Sequence, residues 1–600
     1  MKTSRAFLPT CRPEMAARGW AELDVLFVSG DAYIDHPAFG VPLLARLLEA
    51  EGYRVGILAQ PDWRHPDALR GMGRPRLFAA ISSGAMDSMV NHYTAARKIR
   101  RNDAYTPGGK AGARPNRAVI AYTAAVKGAF KGLPVVIGGI EASLRRLAHY
   151  DYWDDAVRRS ILVDSKADLL VFGMGEAPLL EIARRAAAGE SVATLRDIRG
   201  TAYLAPPPEP AVRLPSFEEV ATDQEAFGAA FRLAAAEADP FCGKTLAQQH
   251  GNRHVVVNPP ALPLPEEGLD RLYALPFTRL PHPGYREPVP AFEQIRFSVT
   301  THRGCFGGCA FCAITQHQGK YIQSRSEDSI VAEIDRMAAR PGFRGTITDV
   351  GGPTANMYGL SCGRPQPAGN PCRRGSCLHP RSCPHLRTDN ARAVRLLEHI
   401  RRRPGVRHVF VASGIRYDLL DQQPEYFATL LKHHVGGLLK VAPEAIGERA
   451  TKIMRKPDAP VFAAFLEWFR AQSRLLERRQ AVVPYLMAAH PGTTLDDMVE
   501  TALFLHRHRL RVEQVQEFTP TPGTLATCIY FTGHDPLTGE PVHVPRSAQE
   551  RRLQKALLLW HLPENRREVL QALRTCGRME EGKVLLGPGS EKTGRTEQKK

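Results

Sequence analysis

Apolar and polar positions alternate along this chain in two distinct series. In the first, DVLFVSG (24–30), RVGIL (54–58), LFAAISS (77–83), LPVVIGG (133–139) and ADLLVFGMGE (167–176) are unbroken apolar runs of the kind buried in parallel sheets. Between the first two, PLLARLLEAEGY carries apolar residues at helical spacing and stops at Gly52. Strands alternating with helices predict an α/β, doubly wound parallel sheet over 1–205, with any ligand in the crevice at the strands' carboxyl ends. The Gly-rich basic segment 101–115 reads as an exposed loop at such an end. Prolines then gather in APPPEP (205–210), NPPALPLP (258–265) and HPGYREPVP (282–290). Residues 206–290 are therefore expected to be a Pro-rich linker with a helical insert around 216–239.

The second series begins at IRFSVTT (295–301) and continues through GTITDVGG (345–352), VRHVFVASG (406–414), GGLLKVAPEA (436–445), QAVVPYLMAAHPG (480–492) and VEQVQEFTPTPGT (512–524). Helical stretches near 326–340, 390–403, 424–434, 459–478 and 495–509 separate these runs. Six such repeats predict a partial (β/α)6 barrel of TIM type over 291–540, whose working residues sit at the carboxyl ends of the strands. A basic amphipathic helix, RSAQERRLQKALLLW, opens a helical extension over 541–586. Residues 587–600 are too polar and charged to fold alone and are expected to be a disordered basic tail.

Composition narrows the classes. At 600 residues and 43% hydrophobic content the chain has material for several cores, which excludes a disordered protein. No apolar run approaches the length of a membrane span, and MKTSRAFLPTCRPEMAARGW lacks the apolar core of a secretory signal, so a cytoplasmic protein without membrane contact is expected. Eighty Lys plus Arg against 62 Asp plus Glu leave a net charge of +18, which suits an anionic partner such as nucleic acid or a phosphorylated substrate. The basic residues are scattered, as on a solvated surface.

Cysteine placement is sharper. Seven of the eleven cysteines lie between 305 and 383, whereas Cys11, Cys242, Cys528 and Cys576 stand alone and read as small buried hydrophobes. An odd total and no export signal disfavour disulfides, and clustered thiolates then point to metal. In THRGCFGGCAFCAITQHQGK, Cys305, Cys309 and Cys312 form C-x3-C-x2-C after the first strand of the second series. Three thiolates on one loop can hold three corners of a [4Fe–4S] cluster and leave the fourth iron open to a ligand. Gly304, Gly307 and Gly308 let a short loop wrap the cluster, and Phe311 supplies an apolar shield. Zinc is the alternative, with His302 or His317 completing the four ligands that a structural site requires.

A second set, Cys362, Cys372, Cys377 and Cys383, lies in a Cys-rich loop at 360–388, at intervals of ten, five and six residues. Four thiolates make a closed site, and a metal would supply folding free energy to a loop that lacks a core of its own. Zinc and an auxiliary iron–sulfur cluster are both candidates, with His379 and His385 as spare ligands. The alternative is free thiols in a loop whose Arg373, Arg374, Arg381 and Arg387 meet phosphate.

The cysteine pattern, its place after the first barrel strand and the aromatic before the third cysteine resemble the radical S-adenosylmethionine (radical SAM) superfamily. IEASLRRLAHYDYWDDAVRRSILVDSKADLLVFGMGE, HVVVNPPALPLPEE, DVGGPTANMYG, SGIRYDL, LKVAPEA and PYLMAAHPGTT further resemble its YgiQ-like family over roughly residues 24 to 575. The resemblance implies a Rossmann-like cap before the barrel, a [4Fe–4S] cluster, SAM as cofactor and a low-potential electron donor of flavodoxin or ferredoxin type. It also implies reductive cleavage of SAM to a 5′-deoxyadenosyl radical, but it names no substrate.

By position, Gly351, Gly352 and Pro353 resemble the Gly-Gly-Glu-Pro motif that meets the SAM amino group through backbone carbonyls, although the Glu is missing here. Ser413, Arg416 and Glu444 resemble residues that bind the SAM ribose and carboxylate, and His490 is placed to line the pocket. The cap also looks like a cobalamin-binding domain at VSG, VIGG and GMGE. Cobalamin is nevertheless not expected, because Asp35, His36 and Gly40 miss the Asp-x-His-x-x-Gly intervals. Arg145, Arg146, Arg158 and Arg159 are candidates to grip an anionic substrate. A nucleic-acid-binding iron–sulfur protein and a cobalamin-dependent radical SAM methyltransferase are the alternative functions.

Overall fold

The computed structural model describes residues 6–364 and 372–587. Of the expected tail at 587–600, residues 588–600 lie outside the described residues, as does part of the Cys-rich loop, 365–371.

All five apolar runs of the first series form strands of one parallel array. Its spatial order is Val55–Ala59, Val25–Ser29, Phe78–Ser82, Val135–Gly138 and Leu169–Val171. Because side chains alternate across a strand, each run feeds two cores. Leu26, Val28, Ala79, Ile81, Val135 and Ile137 pack on one face against the helix Ala118–Ala129. Val25, Phe27, Phe78, Ala80, Val136 and Leu169 pack on the other against the helices Gly40–Ala50 and Glu176–Ala187.

The expected linker does more than connect. Thr201–Leu204 turns antiparallel beside Leu169–Val171, and Arg253–Val257, Leu246–His250 and Val212–Leu214 follow it outward, giving a nine-stranded sheet. Its strands reach the sheet from between the prolines, a position that Pro tolerates at sheet margins. The expected insert is the helix pair Phe217–Thr222 and Gln224–Ala236.

In the second series, Ser298–Thr300 pairs parallel with Asp349–Gly351, and Thr346–Ile347 pairs parallel with His408–Val409. A single parallel bridge joins Ile415 to Val441. Leu438–Glu444, Ala481–Ala488 and Val515–Glu517 then form a parallel triplet. Among the described residues no ladder joins the first of these strands to the last, so the barrel is partial. Val299, Ile347, Val350, Val409, Val441 and Leu486 fill its core together with Ile330, Ile334, Phe465 and Val499 from the surrounding helices. The extension also belongs to this core. The helix Ala548–Leu558 contributes Leu553 and Leu557, and its buried Gln554 accepts from the Ala489 amide at 2.8 Å. Among the described residues no helix is long and apolar enough to cross a membrane.

Candidate functional site

The loop after the first barrel strand is pinned at several points. Gly304 has φ +83° and lies so close to the Tyr321 carbonyl that any Cβ there would overlap it. The Ala310 amide donates to the Met454 carbonyl at 3.0 Å, and the Ala526 amide donates to the Ala310 carbonyl at 2.9 Å. From the opposite side the Cys-rich segment seats itself on the loop. Ser376 Oγ donates to the Gly307 carbonyl at 2.6 Å, and the Cys377 amide donates to the Phe306 carbonyl at 3.0 Å. Phe306 is buried with Met357, Leu360, Leu378 and Leu419.

Polar groups are aimed at the sulfurs this loop presents. The Gly307 amide donates to Cys305 Sγ at 3.4 Å, Thr354 Oγ1 lies 3.4 Å from the same sulfur, and Arg416 Nη1 reaches Cys309 Sγ at 3.7 Å. A Cβ on Gly307 would stand 3.3 Å from Cys305 Sγ and 3.7 Å from Cys309 Sγ, so a side chain there would crowd both thiols. Burial raises the Cys305 thiol, with Cys309 adding to the effect, and pushes Cys312 up to about 12. The two histidines that could complete a zinc set each have a hydroxyl partner at one ring nitrogen. His317 bonds Ser143 Oγ at 3.0 Å and His302 Nδ1 lies 2.8 Å from Thr301 Oγ1. A cubane, which spreads its thiolates more widely than one ion does, fits the donor set.

Two cavities flank this loop. One, of about 500 Å³, lies between the carboxyl edge of the sheet and the barrel. Gly138, Gly139 and Gly173 line it from the sheet, and Gly351, Gly352, Pro353 and Ser413 line it from the barrel. The other, of about 310 Å³, is lined by Cys309, Cys312, Arg146, Lys320 and Arg455. The helix Ala313–Gln318, which starts directly after Cys312, is the partition, and His317 and Gln318 border both cavities.

The remaining expected residues are placed as follows. Phe311 is half-buried and meets His490 edge-on at 5.7 Å, with Lys456 Nζ 5.9 Å from its ring. The Gly351 carbonyl accepts from the Thr301 amide at 2.8 Å and so belongs to the strand ladder. Ser413 Oγ donates to Asp349 Oδ2 at 2.5 Å, so its proton is committed within the chain. Arg416 does not hold an open fork, because the carboxylate of Asp418 occupies it. Burial opposes its charge, yet Asp418 and the sulfurs of Cys309 and Cys305 keep it protonated. Glu444 is 8% exposed, has φ +66° and lies 4.0 Å from Lys456 Nζ. Burial raises its carboxyl against the pull of Lys456.

His490 does not line either cavity. It is fully buried against Phe311 and Phe518, and burial lowers it to about 4. The arginines expected to grip a substrate are mostly committed to the chain's own carboxylates. Arg145 pairs with Asp87, Arg158 with Asp154 and Asp164, and Arg159 with Asp164. Arg146 alone of the four borders one of the two cavities. His36, the misplaced counterpart of a cobalamin ligand, is buried and accepts from the Ala38 amide at 3.1 Å through Nδ1.

The sequence reading overlooked Asp349, Asp418, Thr354, Ser376 and Lys456. Asp349 had a visible signal, a carboxylate inside the apolar run GTITDVGG, and so did Asp418, two residues after Arg416. Ser376 had none, because it meets Gly307 only through the fold.

Residues 7–298 match the radical SAM N-terminal family and 299–505 the radical SAM superfamily, while 513–599 match a domain of unknown function. The UPF0313 protein GSU2873 of Geobacter sulfurreducens is 62% identical over 97% of both chains. The UPF0313 protein YgiQ of Escherichia coli is 45% identical over 97% of this chain and 87% of its own. Among solved structures, the radical S-adenosylmethionine methyltransferase TsrM from Kitasatospora setae, with cobalamin and a [4Fe–4S] cluster bound, is similar at 16% identity and TM-score 0.48. That match covers 84% of this chain and 76% of TsrM. The chain belongs to the UPF0313, YgiQ-like family of radical SAM enzymes.

Proposed function

We propose that Cys305, Cys309 and Cys312 ligate a [4Fe–4S] cluster whose fourth iron takes SAM, and that the enzyme acts by radical chemistry on a substrate admitted between sheet and barrel. The observation that carries this reading is the set of donors converging on the thiols, from Gly307, Thr354 and Arg416. When bound, the cluster and SAM supply reductive C–S cleavage and a hydrogen-abstracting radical. The chain's own residues do the positioning. Gly352 and Pro353 offer backbone at the cavity wall, Asp349 fixes Ser413 there, and Phe311 and the Phe306 cluster keep water from the loop. A low-potential flavodoxin- or ferredoxin-type protein is the electron donor this chemistry requires.

The nucleic-acid reading draws no support from Arg145, Arg158 and Arg159, whose charges are already paired. The test is anaerobic loading with iron and sulfide followed by dithionite and SAM. Wild-type protein should release 5′-deoxyadenosine without corrinoid absorbance. Cys309→Ala should release none, and retention of cleavage in that variant would overturn the cluster assignment.

A further inference from the structure

The Cys-rich segment has a chemistry that the SAM site does not use. Cys362 sits on the short strand Ser361–Cys362, paired with Leu386–Arg387, and the other three thiols arrive along residues 372–385, which form no helix or strand. All four nevertheless line one small cavity of about 80 Å³, together with Phe306, Lys320 and His385. None is in a disulfide.

The segment is held by the Cys383 amide on the Cys377 carbonyl at 2.7 Å, the Leu386 amide on the Cys383 carbonyl at 2.9 Å and the Gly363 amide on the His385 carbonyl at 2.7 Å. Its apolar anchorage is Cys377, Leu378, Cys383 and Leu386 against Phe306, Met357, Leu360 and Leu419. Fixing each residue of such a segment costs about 1–2 kcal/mol of backbone entropy, toward which bonds from four thiolates to a metal would contribute.

We propose that Cys362, Cys372, Cys377 and Cys383 ligate a second [4Fe–4S] cluster, which locks the Cys-rich segment over the loop of Cys305, Cys309 and Cys312. Four thiolates complete a cubane's protein ligation and leave no open iron, so this centre is closed, unlike the first. On binding, each thiol gives its proton to solvent. A single zinc ion would draw all four sulfurs to about 2.3 Å from one point, whereas the wider cubane matches four thiols spread around one cavity of about 80 Å³. The rim suits the net negative charge of a four-thiolate cluster. Lys320, Arg364, Arg373 and Arg374 line the cavity, and Lys320 Nζ is held 3.0 Å from the Cys372 carbonyl. The lock is direct, since the residues flanking and including Cys377 bond the Gly307 and Phe306 carbonyls.

The experiment separates this centre from the SAM cluster. The full-length Cys305→Ala/Cys309→Ala/Cys312→Ala variant, loaded anaerobically with ferric iron, a dithiol reductant and sulfide, should retain about four iron and four sulfide per chain, the content of one cubane. Adding either Cys377→Ser or Cys383→Ser to that background should remove both, with the thermal transition still cooperative. A triple variant that holds no iron, or that holds one zinc ion instead, would overturn the proposal. Either result leaves the SAM site to be judged on Cys309→Ala in the otherwise native chain.

Discussion

Arg416 grips Asp418 through two hydrogen bonds, Nε to Oδ1 at 2.7 Å and Nη2 to Oδ2 at 2.5 Å, and turns its remaining nitrogen, Nη1, toward Cys309 Sγ at 3.7 Å. A buried cation is thereby brought to the thiol loop with its charge already balanced on the far side. Asp418→Asn leaves the guanidinium uncompensated and makes an added electron on the cluster more favourable. The cluster's reduction potential should rise by on the order of 60 mV, the one-electron equivalent of a tenfold change. Potentiometric titration followed by electron paramagnetic resonance checks this, and an unchanged or lowered potential would contradict it.

Gly352 has no room for a side chain, because a Cβ would stand 2.7 Å and 2.8 Å from ring atoms of the buried His302. Relieving that overlap costs about 1–3 kcal/mol of folding stability. Gly352→Ala should therefore unfold at a lower temperature than Gly414→Ala, the matched control, since nothing lies within 4 Å of the Cβ of Gly414. Thermal denaturation should separate the two variants.

Histidines held neutral inside the fold, His302, His317 and His490 among them, make it acid-labile. Burial lowers His302, His317 and His490 from 6.5 to about 4, so each stays neutral in the fold and takes up a proton more readily once unfolded. Their contribution is fully present above pH 6.5 and is lost as pH falls toward 4, by about 1.4 kcal/mol per histidine per pH unit. Denaturant midpoints measured across that window should fall steeply. His302→Gln should shallow the slope, and an identical slope in that variant would remove His302 from the account.

Sheet and barrel are riveted by a buried pair, Glu176 from the GMGE turn and Arg303 from the residue before Gly304. Removing one partner of such a pair strands the other charge and costs about 3–5 kcal/mol. Glu176→Gln should therefore lower the thermal midpoint more than Glu181→Gln, whose partner Arg184 is solvent-exposed. Differential scanning calorimetry decides between them.

Much of this architecture was legible in the sequence, because buried strands carry their own signature. Every apolar run assigned to the first series became a strand, and the six runs of the second became the parallel strands of a partial barrel. The thiol loop was equally plain, since three cysteines and three glycines within nine residues fit few other purposes. What escaped notice was pairing at a distance. Leu246–His250 reads as LAQQH, too polar to announce a strand, and enters the sheet only because Arg253–Val257 offers it an edge. Arg416 was recognised but its partner was not, because a guanidinium that can fork onto a ligand can equally fork onto a neighbour. His490 likewise looked like a pocket residue at a strand end, and three-dimensional packing of Phe311 and Phe518 closed that end over it.

The helix Ala313–Gln318 is a party wall of only six residues, with a space on either side. So thin a divider cannot be displaced toward one tenant without being withdrawn from the other. Should filling the smaller chamber move it, affinity in the larger one changes too, and whatever factor one tenant imposes on its neighbour must be returned in equal measure.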